Sequence, residues 1–174
     1  RPGYDLVGAF VGSEGMMGVV TKVVVRLLPT PESVRTMLAV FPEMDQASAA
    51  VSSIIGTGLV PTALEMMDRL TIKAVETAMR FGYPQDAGAI LLVEVDGLTG
   101  DVEEAAIEVE RVCMQEGARE VRAASEAAER ERLWSGRKGA LGSLGALAPN
   151  YYLVDGVVPR TRLPEVLRRV EEIS

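Results

Sequence analysis

AILLVEVDGLTGDVEEAAIEVERVC, residues 89–113, carries a strand pattern and a helix pattern back to back. Ala89 to Val95 is a short apolar run, and Asp96-Gly97 closes it with residues that favour a turn. Val102, Ala105, Ala106, Val109, Val112 and Cys113 then recur at i, i+3, i+4, i+7, i+10 and i+11, which is one face of a helix. Asp101 stands where a cap belongs, Glu103 and Glu104 suit the positive end of the helix, and Gly117 stops it.

The alternation continues in both directions. Upstream, Val34 to Phe41 reads as a strand, and Met44, Ala47, Val51, Ile54 and Ile55 share a helical face that Gly56 and Gly58 end. Ala63 to Met67 is a further strand, followed by a helix from about Asp68 to Arg80. Downstream come a strand near Glu120–Ala123, a charged helix from about Ser125 to Lys138, and a strand over Tyr151–Val158. Thr161-Arg162-Leu163-Pro164 opens a last helix, with Leu163, Val166, Leu167, Val170 and Ile173 on one face. Repeated strand–helix–strand units predict a sheet covered by helices. Periodicity alone leaves open whether that sheet is antiparallel and ferredoxin-like or parallel and doubly wound. The first stretch differs. Glycines crowd Arg1 to Leu28 ahead of a strand-like run at Val23–Leu28, and Pro29-Thr30-Pro31 marks a domain crossing.

Composition excludes several functions. The 174 residues are 48% hydrophobic, with 18 Lys and Arg against 25 Asp and Glu, a net charge of −7. That balance offers no electrostatic footprint for nucleic acid or an anionic membrane. A single cysteine rules out an internal disulfide and suits a reducing compartment. No run of about 18 apolar residues is present to span a bilayer. The chain has no histidine, so a histidine triad, base or metal ligand cannot lie within it. It begins at Arg1 without methionine and stops inside an amphipathic pattern, and so reads as a segment of a longer protein.

Gly12-Ser13-Glu14-Gly15-Met16-Met17-Gly18-Val19-Val20-Thr21 is the sharpest local signal. Its three glycines let backbone approach a ligand and present N–H groups to phosphate or carbonyl oxygens. The spacing is neither a Walker A loop nor the Rossmann fingerprint, and on the residues alone a plain tight turn is the favoured reading over a cofactor cradle. Arg137 reads either as a solvated arginine beside Arg130, Arg132 and Lys138, or as a planar fork for a carboxylate. Glu65 and Asp68 read as a solvated carboxylate pair at a strand end, Trp134 as a core anchor, and Cys113 as a small buried hydrophobe. The eight methionines read as core filler.

GYDLVGAFVGSEGMMGVVTKVVVRLLPTP (residues 3–31) resembles the segment that ends the FAD-binding domain in FAD-linked oxidases of the vanillyl-alcohol-oxidase type. Met16-Met17 replace the family's Thr-Leu, and Lys22 replaces its Glu. LWSGRK (residues 133–138) and YYLVDGVVPR (residues 151–160) are similar to the branch that holds the glycolate oxidase flavin subunit and the D-lactate dehydrogenases. The resemblance implies an α+β fold. Residues 1–31 would be the C-terminal part of an FAD-binding domain, and residues 32–174 a ferredoxin-like cap domain that shapes the substrate site.

It further implies FAD as cofactor, held in part by Gly12, Ser13, Glu14, Gly15, Gly18, Val19 and Val20. Arg137 would bind the carboxylate of a small 2-hydroxy acid, glycolate or D-lactate, with Tyr152 beside it. Asp155 reads as a turn residue, and Leu153 replaces a lysine of related 2-hydroxyglutarate enzymes. The catalytic histidine, and in some relatives a metal site, would lie outside these residues, so the segment alone would be inactive. An iron–sulfur partner subunit and a homo-oligomer follow from the same resemblance, with a cytoplasmic protein peripheral to the inner membrane through its partners. The contrasting expectation is a non-catalytic ferredoxin-like domain for ligand sensing or subunit association.

Overall fold

The computed structural model describes every residue except 1, 2, 125, 149, 151 and 174, and the chain divides into two units, Arg1–Thr30 and Pro31–Ser174. In the first unit, α1 (Leu6–Val11) starts where the Asp5 carboxylate accepts the Gly8 N–H at 2.8 Å. The glycines around α1 obscure it in the sequence. Residues 18–30 form neither helix nor strand, so the strand expected at Val23–Leu28 is absent from this structure. An apolar β-branched run favours extended backbone, but a strand also needs an edge to pair with.

The second unit is built on four strands. In chain order it holds β1 (Ser33–Phe41), α2 (Met44–Gly56), β2 (Ala63–Asp68), α3 (Arg69–Met79), β3 (Ala89–Gly97), α4 (Thr99–Gln115) and β4 (Glu120–Ala123). Three helices follow, α5 (Ala127–Lys138), α6 (Ala140–Leu144) and α7 (Leu163–Ile173), the last entered through a 3₁₀ turn at Arg160–Arg162. The strands lie in the order β2-β3-β1-β4, every neighbouring pair antiparallel. This is the ferredoxin-like arrangement, so the α+β expectation holds and the doubly wound alternative does not.

Side chains alternate across the sheet and build a core on each face. Met37, Ala39, Phe41, Leu91 and Val93 pack against α2 and α4 through Ala47, Ile54, Val102, Val109 and Cys113. Leu38, Val40, Ile90 and Leu92 face the other way, onto Ile72 and Val75 of α3, Leu133 of α5, Ala140 of α6 and the ring of Tyr83. The central strands β1 and β3 are therefore covered on both sides. That is why MLAVF within β1 and AILLV within β3 read as continuous apolar runs instead of alternating ones.

Three further expectations are corrected. Helix α4 begins at Thr99 with Leu98 as its N-cap, so Asp101 is not the cap but an acidic residue of the first turn. A carboxylate there still faces the positive end of the helix dipole. Residues 152–158 form no strand in this structure; Tyr151, which opened that expected strand, lies outside the described residues, as does Ser125 ahead of α5. Helix α6 was not anticipated, because AlaLeuGlySerLeu is too short to show a period.

Candidate functional site

Helix α5 crosses the α3 face of the sheet, and its residues Trp134 and Arg137 lie one turn apart on the same side. Each meets a carboxylate from a neighbouring strand. Glu94 of β3 accepts from Trp134 Nε1 at 2.6 Å and from Thr36 Oγ1 of β1 at 2.5 Å, through the same oxygen, Oε2. Glu65 of β2 takes Arg137, with Oε2 at 3.1 Å from Nε and 2.9 Å from Nη2. Period-2 alternation puts Glu65 and Glu94 on the same face as Leu92 and Met67. Among the described residues, Nη1 of Arg137 has no hydrogen-bond partner.

Tyr83 sets the height of α5. Its hydroxyl donates to the Leu133 carbonyl at 2.5 Å, and its backbone N–H donates to the buried Glu76 Oε1 at 2.8 Å. Burial, and then the nearby Glu76 carboxylate, push the phenol up to about 12. A Cβ at Gly136 would collide with the Tyr83 ring, so this position of the helix requires glycine for close approach. The pairing of Glu65 with Arg137 corrects the reading of Glu65 and Asp68 as a solvated pair. Asp68 is instead the N-cap of α3, where it accepts the Thr71 N–H at 2.8 Å.

The glycine loop of the first unit forms a turn from Ser13 to Met16, closed by the Met16 N–H to the Ser13 carbonyl at 2.9 Å. Ser13 turns its hydroxyl inward, onto the Phe10 carbonyl at 2.7 Å. Glu14 and Gly15 take left-handed backbone at φ 50° and 82°, and Gly18 rests on the Phe10 ring. Among the described residues, the N–H groups of Gly15, Met17, Gly18, Val19 and Val20 meet no acceptor. Exposed backbone donors beside glycines are the donor set that suits phosphate or carbonyl oxygens, so the loop fits a dinucleotide cofactor.

Tyr152 is 91% exposed in a stretch that is neither helix nor strand, and neither it nor Asp155 forms a hydrogen bond or ion pair with Arg137. A polar hollow bounded by Ser33, Thr36, Ala124, Glu126 and Arg130 opens near the start of α5 and contains none of the expected site residues. Among the described residues, no group of three potential ligands could hold a metal ion, and no helix is long and apolar enough to cross a membrane. Cys113 is buried, and burial pushes its thiol up to about 12, which suits packing and not nucleophilic chemistry.

Sequence reasoning missed Glu65, Glu94 and Tyr83 as partners of α5, and Thr36 as a donor to Glu94. One signal was present. Glu65 and Glu94 interrupt apolar strands on the face they share with buried Met67 and Leu92, and a carboxylate facing a core needs a donor.

Residues 30–174 match the family described as FAD linked oxidases, C-terminal domain. The chain is 47% identical to the glycolate oxidase subunit GlcD of Escherichia coli K12 across 99% of its own length and 35% of that protein. It is 37% identical to GlcD of Bacillus subtilis, covering 99% of the chain and 37% of the relative. With a probable mitochondrial D-lactate dehydrogenase of Danio rerio it shares 30% over 95% of the chain and 33% of the relative. The chain thus spans about a third of the length of the curated relatives it matches. An alkyldihydroxyacetonephosphate synthase structure superposes over 99% of the chain and 37% of that protein, with a TM-score of 0.70 at 16% identity, a likeness of fold.

Proposed function

The chain belongs to the FAD-linked oxidases, and from that premise we propose that it serves a flavoenzyme oxidising a small 2-hydroxy acid, glycolate or D-lactate, to the 2-oxo acid. In this reading residues 1–31 are the C-terminal part of the FAD-binding domain and residues 32–174 the cap, or substrate, domain. The division of the chain after Thr30 supports that boundary. The observation that carries the substrate assignment is Arg137, a half-exposed guanidinium held along its Nε edge with Nη1 free among the described residues.

Residues Gly12, Ser13, Glu14, Gly15, Gly18, Val19 and Val20 would hold part of the FAD, with the N–H groups of Gly15, Gly18, Val19 and Val20, which meet no acceptor among the described residues, as its backbone donors. Bound FAD supplies a two-electron acceptor. The chain's own share is orientation and charge. Arg137 offers its remaining N–H groups to the substrate carboxylate and fixes the carbon that bears the hydroxyl. Tyr152 would line the same site, and the base that takes the hydroxyl proton lies outside these residues. The relatives' designation as a glycolate oxidase subunit suggests a partner chain, which we assign to an iron–sulfur subunit.

Replacing Arg137 with lysine in the flavin-loaded holoenzyme tests this reading. Lysine keeps the charge and loses the planar fork. Hydrogen bonds of this charged kind contribute roughly 1.5–3 kcal/mol, so kcat/KM for 2-hydroxy acids falls about 10- to 150-fold. The melting temperature stays near that of the parent, because a half-exposed ion pair adds little to stability. Arg132→Lys, on the same helix and bonded to the Arg80 carbonyl, is the matched control and leaves kcat/KM unchanged. An unaltered kcat/KM in Arg137→Lys refutes the assignment.

A further inference from the structure

Arg137 does not choose its own orientation; Glu65, 72 residues earlier in the chain, holds it along one edge. Both Nε and Nη2 lie within 3.1 Å of the same Glu65 oxygen, which fixes the rotation of the guanidinium plane about the end of the side chain. The helix beneath is fixed independently. Trp134, one turn back, is tied to Glu94, and Tyr83 is bonded to the Leu133 carbonyl. Backbone and side-chain end are thus anchored by different strands, and among the described residues the part of Arg137 left without a partner is Nη1 with the outer N–H of Nη2.

From this we infer that Glu65 is a positioning residue for substrate binding: it occupies the Nε edge of Arg137 and leaves the Nη1/Nη2 edge set for a carboxylate. The inference rests on the reading of Arg137 as the carboxylate-binding group. Two effects of Glu65 oppose each other. Its charge repels an arriving carboxylate, whereas its hydrogen bond removes the rotamer freedom that an arginine otherwise loses on binding. Repulsion between partly exposed charges is weakened by water, and each charge here is about two-fifths exposed. Orientation therefore dominates, and the sign of the effect is testable.

The carboxylate of the substrate does not react, so its grip is equal in ground state and transition state, and loss of orientation is seen in KM rather than kcat. In the flavin-loaded holoenzyme, Glu65→Ala raises KM for glycolate or D-lactate roughly tenfold with kcat within about twofold. Glu65→Gln keeps an acceptor oxygen at the same reach and stays within about threefold of the parent KM. Glu65→Asp, one methylene short, behaves like alanine and serves where the alanine variant does not fold. A second readout is independent of turnover: in the full 174-residue chain, the Arg137 Nε–H proton resonance is protected from exchange, stays so in Glu65→Gln, and loses protection in Glu65→Ala. A lower KM in both variants means that charge repulsion governs, and overturns the inference. An unchanged KM in Glu65→Ala, while Arg137→Lys is impaired, overturns the positioning role alone. If Arg137→Lys is also silent, the substrate assignment and this inference fall together.

Discussion

Ser48 is fully buried on α2 between Ala47 and Ala50, and its hydroxyl has no hydrogen-bond partner among the described residues. Burying such a group unmet costs about 1–3 kcal/mol, and alanine at this site removes the cost while leaving a space of only one oxygen. Ser48→Ala is expected to stabilise the protein by about 1 kcal/mol, a rise of roughly 2–4 °C in melting temperature for a chain of this size, read by scanning calorimetry. An unchanged or lower temperature would show that the hydroxyl is satisfied in solution. Ser48 also shows why single residues were hard to read. The helical face drawn through Met44, Ala47, Val51, Ile54 and Ile55 is the correct face, yet Val51 and Ile55 are only half-buried while Ser48 is wholly buried. Composition places polar residues outside, and only the packing of α2 on α4 and the sheet decides otherwise. Arg137 was legible as a fork in a motif. Its partner Glu65 was not, because no local period connects residues 72 apart.

At the scale of elements, the register of α5 on the sheet decides what the candidate site can do. Gly136 is buried against Tyr83, and a methyl group there would meet the ring. Two effects compete on replacing it. Alanine in a helix interior is favoured over glycine by about 1 kcal/mol, while overpacking costs about 1–3 kcal/mol and also strains the Tyr83–Leu133 hydrogen bond. The second effect is larger, so Gly136→Ala should destabilise the fold by about 1–2 kcal/mol in urea titrations. In a Tyr83→Ala background the obstruction is gone, and the same substitution should be neutral or stabilising; equal losses in both backgrounds would rule out the contact. Strands covered on both faces, such as β1 and β3, were legible in the sequence to within two residues, and helices with sustained periods, such as α4, to within about three. The failures share a cause. VVVRLL at 23–28 and the run after Tyr152 have strand-like composition, but a ladder requires a partner edge that composition does not specify.

At the scale of the whole molecule, the two faces of the sheet, among the described residues, each bury a group that loses a proton only in alkali. Cys113 lies in the core beneath α2 and α4, and Tyr83 in the core beneath α3 and α5. Burial raises the thiol from 9.0 to about 12, while burial with the Glu76 charge raises the phenol from 10.0 to about 12. The folded chain thus holds both protons more tightly than the unfolded chain does. Their contribution is complete below pH 9, where the unfolded chain also keeps them, and is lost as pH rises from 9 through 10 toward about 12. Urea midpoints measured from pH 8 to 11.5 should therefore fall, with the thiol responsible for the first part of the decline and the phenol joining it about one unit later. Cys113→Ala and Tyr83→Phe each lose packing or a hydrogen bond at pH 8 and begin less stable than the parent. Neither variant carries the corresponding titration, so each curve should fall less steeply and the gap to the parent should narrow as pH rises. Parallel curves for parent, Cys113→Ala and Tyr83→Phe would mean that neither buried proton is linked to folding, and that alkaline loss arises from the general growth of negative charge on a chain already at −7.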